Sequence, residues 1–142
     1  MVQLEEVFTV HVEIDQAVQL NNEDGDSVVM ISFRGQVTGK YFKGTVLDGG
    51  VDTQVIGKFG DRHTLSARYM LEGTDYTGEC CKIYIENNGN ANTAQENILF
   101  RTHPVIITNS KALSFLNREV LIGEGQASTS GVDIKIFRCS KG

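Results

Sequence analysis

"VDTQVIGKFGDRHTLSARYMLEGTDYTGECCKIYIEN", Val51–Asn87, alternates apolar and polar side chains through three runs parted by the turn-rich clusters "KFGDR" and "GTDYTG". A period of two is the signature of a β-strand, and short clusters of Gly, Asp and Thr mark where antiparallel strands reverse. A slip of one residue turns a strand's faces over, so the register follows from placing apolar beside apolar. Around "KFGDR" this rule pairs Val51 with Tyr69, Thr53 with Ala67 and Val55 with Leu65, which sets Asp52 opposite Arg68. Around "GTDYTG" it pairs Leu71 with Cys81, Tyr69 with Ile83 and Ala67 with Ile85, and it brings Arg68 to Tyr84. One face then carries Val51, Val55, Leu65, Tyr69, Ile83 and Ile85; the other carries Asp52, Arg68, Lys82, Tyr84 and Glu86.

The same alternation extends both ways. "VFTVHVEID" puts Phe8, Val10, Val12 and Ile14 on one side, and further strands are expected near residues 28–37, 41–47, 98–108, 118–124 and 131–138, joined by turns such as "LDGG" and "QASTSG". Only "NSKALSFLN" looks helical, with Asn109 or Ser110 as cap and Ala112, Phe115 and Leu116 on one side of two turns at most. "DQAVQLNNEDGD" and "GNANTAQEN" are too polar to offset their ordering entropy by burial and are expected to be mobile loops. With no helical layer to cover a sheet or its edges, closure is the economical solution: residues 1–142 are expected to form a single domain, an all-β, antiparallel up-and-down β-barrel of about eight strands with one short helix. A two-sheet sandwich is the alternative. The one proline, Pro104 in "FRTHPVIIT", lacks an N–H and must sit where the ladder is already interrupted, so the strand is expected to bend there and bring Arg101, Thr102 and His103 toward the mouth.

Composition excludes more than it names. The net charge is −5, from 18 acidic and 13 basic residues scattered along the chain, which argues against nucleic acid or an anionic membrane as partner. No stretch approaches the ~20 apolar residues of a membrane-spanning helix. Cys80 and Cys81 point to opposite faces and Cys139 stands alone, so no disulfide framework is expected and a cytoplasmic location fits.

"GTVLDGGVDTQ", "LSARYMLEG", "FRTHPVIIT" and "LNREVLIGEG", in that order, resemble the successive signatures of the domain-of-unknown-function family 3237 of bacteria and fungi. The resemblance implies an antiparallel barrel similar to allene oxide cyclase and dirigent proteins, which guide cyclisation or coupling of small molecules in a largely apolar lumen.

Motif chemistry is sparse. "GQVTGKY" fails as a phosphate loop, since its glycines are too close and Tyr41 stands where Ser or Thr must hold magnesium. "LNNEDGDS" fails as a calcium loop, because a frame set on Gly25 makes the first ligand Leu20 and the twelfth Ile31. His11, His63 and His103 have no ligand-type spacing, so neither metal nor other cofactor is expected. The ligand-binding candidates are Asp52 and Arg68 as a cross-strand pair, Tyr69 and Asn87 as polar groups in an apolar row, Arg101 near the mouth, and Asn117 at the end of the helix, where capping is its structural role. If the polar face is merely a solvated exterior, Tyr69 and Asn87 become the lumen's polar groups. The expected function is binding of a small apolar or mixed-polarity molecule near a mouth formed by Pro104 and the helix, either as a cofactor-independent cyclase or isomerase or as a lipocalin-like carrier. A structural barrel that forms homo-oligomers is the third reading; a lumen with no cavity of about 300 Å³ would exclude the first two.

Overall fold

The computed structural model describes residues 2–91 and 97–141. They form β1 (Val2–Leu20), β2 (Ser27–Thr38), β3 (Phe42–Val46), β4 (Val51–Ile56), β5 (His63–Asp75), β6 (Cys80–Asn90), β7 (Phe100–Thr108), a 3-10 helix (Ser114–Asn117), β8 (Leu121–Ser128) and β9 (Gly131–Lys141). All pairings are antiparallel, and β1 bonds to both β2 and β9, which closes the sheet into a ring. β3 and β4 share one stave: β3 pairs with β2 and β5 in the lower half, and β4 pairs with the same two strands in the upper half. Nine strands therefore make eight staves. Leu47–Gly50, "LDGG", is an interruption within that stave rather than a reversal, and Gly49 takes the left-handed φ of 102° that it requires.

Two registers differ from the sequence expectation, with unequal consequences. β5 and β6 pair Tyr69 with Ile85 and Arg68 with Glu86, a shift of two residues that leaves every side chain on its expected face. β4 and β5 pair Asp52 with Ala67 and Val51 with Arg68, a shift of one that turns β4 over. The turn explains it. Gly57 N–H bonds Arg62 C=O at 2.8 Å and Gly60 N–H bonds Gly57 C=O at 3.0 Å, which leaves four residues between the paired Gly57 and Arg62. An even loop cannot give the register chosen by apolar matching. Asp52 and Gln54 point inward, and Val51 and Val55 point outward, where Val55 lies opposite Val28 of β2.

The first loop expectation is also corrected. Asp15–Leu20 of "DQAVQLNNEDGD" continues β1, because Gln16–Leu20 pairs with Val28–Ser32 beyond a bulge at Asp15. A second bulge at Val7, where β1 slips against β9, lets the adjacent Val7 and Phe8 both be fully buried. "GNANTAQEN" lies largely outside the described residues. The helix is a single 3-10 turn, entered through the Ser110 hydroxyl, which accepts Leu113 N–H at 3.1 Å. Pro104 is buried opposite Asn87, and the β7–β8 ladder stops at Thr102, so the ring sits just past the last β8 bond that β7 makes.

The two ends of the barrel are filled differently. At the end that holds the 3-10 helix, Phe8, Phe42, Leu71, Ile83, Leu113 and Leu116 are essentially solvent-free. Phe8 and Phe42 stack with ring centroids 5.9 Å apart, and Tyr41 meets Phe115 at 5.6 Å. Burial of each such side chain contributes about 1.5–3 kcal/mol. Among the described residues no helix is long and apolar enough to cross a membrane.

Candidate functional site

The cavity lies in the opposite half of the lumen. Its apolar wall includes Val12, Ile31, Phe33, Leu65, Phe100 and Ile134; Asp52, Gln54 and Asn87 supply its polar groups. The empty space is about 530 Å³ with the open mouth included, of which the centres of water molecules can occupy about 90 Å³. The enclosed part falls short of the cavity of about 300 Å³ expected for a ligand lumen, and of the ~150 Å³ that encloses a benzene molecule; only with the open mouth is the expected size reached. A guest with a ring must extend into the mouth.

The turned-over β4 stave puts Asp52 here. Its Oδ2 accepts Gln54 Nε2 at 2.8 Å, while Gln54 Oε1 accepts His63 Nε2 at 2.6 Å, so a relay of side chains runs from the rim to the carboxylate. Gln54 Oε1 can only accept, which places the proton of that contact on His63 Nε2. Asp52 Oδ1 is buried with no partner. Burial raises the Asp52 pKa; hydrogen bonds from Gln54 and the Ser66 backbone, with the nearby His63, offset this only in part.

Asn87 has zero exposure, and among the described residues neither amide atom has a partner at good hydrogen-bond geometry; the Tyr69 phenol is its polar neighbour by electrostatics. One layer deeper, two residues along β5 from Ala67, stands Tyr69, edge-on to Phe33 with ring centroids 5.1 Å apart and with its phenol oxygen unpartnered. Burial, and then the charge of Asp52, push that phenol far above its ordinary pKa, while the Asn87 side chain lowers it slightly. Thr102 Oγ1 completes the set. Gly123 leaves it room: a Cβ there would lie 2.2 Å from Thr102 Oγ1 and 3.5 Å from Asn87 Oδ1.

The other candidates are elsewhere. Arg68 faces outward and pairs with Glu86 at 3.3 Å, not with Asp52, because of the register shift. Arg101 faces outward beside Glu124 at 3.2 Å. Asn117 lies at the closed end, where its Oδ1 accepts Thr108 N–H at 3.1 Å. The 3-10 helix therefore closes the far end and does not form the mouth. Apolar matching missed Gln54 as an inward group and gave no reason to join His63 to Asp52. The phase of "FKGTV" could have found them, since Phe42 and Val46 are buried and the even-numbered positions stay inward through the interruption to Asp52 and Gln54. Among the described residues no cluster of three or more His, Cys, Asp or Glu could hold a metal ion.

The model of a family described as "Protein of unknown function (DUF3237)" matches residues 2–139, and the chain belongs to that family. A UPF0311 protein of Clostridium acetobutylicum is 28% identical over 152 residues, covering 96% of this chain and 93% of its own. Among solved structures, a protein of unknown function from Clostridium acetobutylicum ATCC 824 superposes with a TM-score of 0.81 at 25% identity, covering 99% of this chain and 98% of its own. A beta-barrel like protein from Acinetobacter baumannii AYE gives 0.73 at 19% identity, over 99% and 97% of the two chains. An enzyme from Penicillium herquei gives 0.71 at 17% identity, over 98% and 95%. These likenesses carry the barrel fold.

Proposed function

We propose that this member of the family binds a small, mainly apolar molecule in the open half of its lumen, with the molecule's polar end against Asp52 and Asn87. One observation carries the reading. Of the six buried side-chain polar atoms without a partner among the described residues, five belong to Asp52, Tyr69, Asn87 and Thr102, in or directly beneath one apolar cavity. Leaving such a group unpaired costs about 1–3 kcal/mol, so a cluster short of protein partners is a place where ordered water or a guest supplies the missing hydrogen bonds. The protein is placed in the cytoplasm on this reading, where its three free thiols stay reduced.

A proton-transfer enzyme is the second reading, favoured by the pairing of a carboxylate of raised proton affinity with a buried phenol. Asp52 takes a proton from the carbon next to a carbonyl, the Tyr69 O–H bonds the developing enolate oxygen, and the proton returns to a different carbon; no cofactor takes part. A solved structure of the same fold, from Penicillium herquei, is described as an enzyme, and this supports the reading.

Methyl-labelled protein titrated with benzyl alcohol separates binding from mere packing. Shifts confined to Ile31, Leu65, Val132 and Ile134 support the lumen site, and loss of those shifts in Asn87→Leu ties them to the amide. A titration that moves none of these methyls removes the binding reading. Exchange of α-protons of a bound cyclic ketone for deuterium, present in the parent and absent in Asp52→Asn, identifies the enzyme reading; no exchange above buffer rejects it.

A further inference from the structure

The proposed lumen site contains a carboxylate and no cation to balance it. None of the residues lining the cavity is Lys or Arg, and the one imidazole nearby, His63, reaches Asp52 only through Gln54. Among the described residues the Asp52 carboxylate, part of the cavity lining, is met by neutral donors only: the Gln54 amide and the Ser66 backbone. A buried carboxylate without a counter-charge is costly, and what relieves it most is a positive donor brought in by a guest.

The surroundings of the mouth favour the same sign. At this end the β1–β2 hairpin carries Asp15, Glu23, Asp24 and Asp26, and the β4–β5 turn carries Asp61, against Lys58 and Arg62 alone. Arg62 and Asp26 pair at 3.1 Å and offset each other, which leaves Asp15, Glu23, Asp24 and Asp61 against Lys58 in these two segments. A low-dielectric cleft under a rim of one sign focuses its field and concentrates ions of the other. An ammonium has three donors and no acceptor, which suits a pocket whose one charged lining group is a carboxylate.

We infer that the lumen site takes a small hydrophobic amine in its protonated form, the ammonium donating to the Asp52 carboxylate while the hydrocarbon lies along Phe33, Phe100 and Ile134. This rests on the lumen-binding reading above and adds the charge of the ligand. It also excludes carboxylates, which would place two like charges in one apolar pocket.

Three probes of one shape, benzylamine, benzyl alcohol and benzoate, are titrated into methyl-labelled protein at pH 7 and low salt. Benzylamine binds tighter than benzyl alcohol by about tenfold or more, and benzoate does not shift the lumen methyls. In Asp52→Asn the preference is lost: benzylamine binds no tighter than benzyl alcohol does to the same variant. If benzyl alcohol moves the lumen methyls as strongly as benzylamine does, or if Asp52→Asn keeps the amine preference, the ammonium assignment is overturned while lumen binding stands. If no probe moves Ile31, Leu65 or Ile134, the binding reading and this inference fall together.

Discussion

The closed end of the barrel and the open end are built from the same staves and obey opposite rules. Below, Phe8, Phe42, Leu71 and Ile83 fill the lumen, and the one buried carboxylate, Asp75, is saturated with donors: Thr77 N–H at 2.9 Å, the Thr77 hydroxyl at 2.5 Å, Glu79 N–H at 3.2 Å and the Ser110 hydroxyl at 2.7 Å. Above, Asp52, Asn87, Tyr69 and Thr102 hold five polar atoms that nothing satisfies. The lower half is packed and its carboxylate satisfied; the upper half leaves polar side chains short of protein partners around a cavity.

The largest effect should come from attacking that division directly. Leu71→Ala, at a position with zero exposure in the packed half, should cost about 2–5 kcal/mol in urea unfolding, since a cavity is left where neighbours cannot collapse. Asn87→Leu, equally buried in the upper half, should do the reverse and stabilise by on the order of 1 kcal/mol, because it removes two unpaired polar atoms from an apolar wall. The same variant should lose the lumen titration described above. A destabilised Asn87→Leu protein would show that the amide is satisfied in solution and that the contrast between the halves is smaller than the geometry indicates.

A smaller effect sharpens the contrast through pH. Asp75 is held down from 3.8 to about 2, first by the Thr77 hydroxyl and then by Ser110. A depressed folded-state pKa contributes stability that is present above the ordinary carboxylate range and is lost as pH falls toward 2. Asp75→Asn should therefore be less stable than the parent at pH 7, with the gap closing between about pH 4 and pH 2. Asp52 has the opposite sign: burial raises its pKa, so the folded state holds that proton longer and loses stability as pH rises through the folded value. Asp52→Asn should accordingly be the more stable form at pH 7, and the advantage should vanish below the ordinary aspartate pKa. Paired denaturation series of the two variants give slopes of opposite sign; slopes of one sign would mean that the two carboxylates sit in similar surroundings.

How much of this was legible in the chain follows from the same division. The ring of alternating strands was written plainly, because Phe8, Val10 and Val12, or Leu65, Ala67 and Tyr69, keep strict phase where the lumen is packed or nearly so. Pro104 was legible as a ladder break for a purely covalent reason. β4 was not, since its apolar residues, Val51 and Val55, point out against Val28 and Arg68, and its polar ones, Asp52 and Gln54, point in. Apolar matching must fail at a strand whose inward face is polar, and the failure falls at the strand on which the proposed site rests. Arg101 and Asn117 were drawn into the candidate set by nearness in sequence to Pro104 and to the helix. Neither nearness survives once the helix is found at the closed end.

The smallest effect expected is at Arg68, one residue from Tyr69 and on the opposite face of β5. Its guanidinium is well exposed and its partner Glu86 lies directly across the strand at 3.3 Å, so salt and water screen the pair. Such a cross-strand contact is worth under about 1 kcal/mol. Arg68→Met should shift the urea midpoint by no more than that and leave the benzyl alcohol titration of the lumen unchanged. Tyr69→Phe, made beside it, removes a buried unpaired hydroxyl, so it should hold or slightly raise stability while changing the environment beneath the bound guest. If instead Arg68→Met altered binding and Tyr69→Phe did not, the lumen would not be where the ligand sits. The outer wall of β5 and β6 would take its place as the working surface of the barrel.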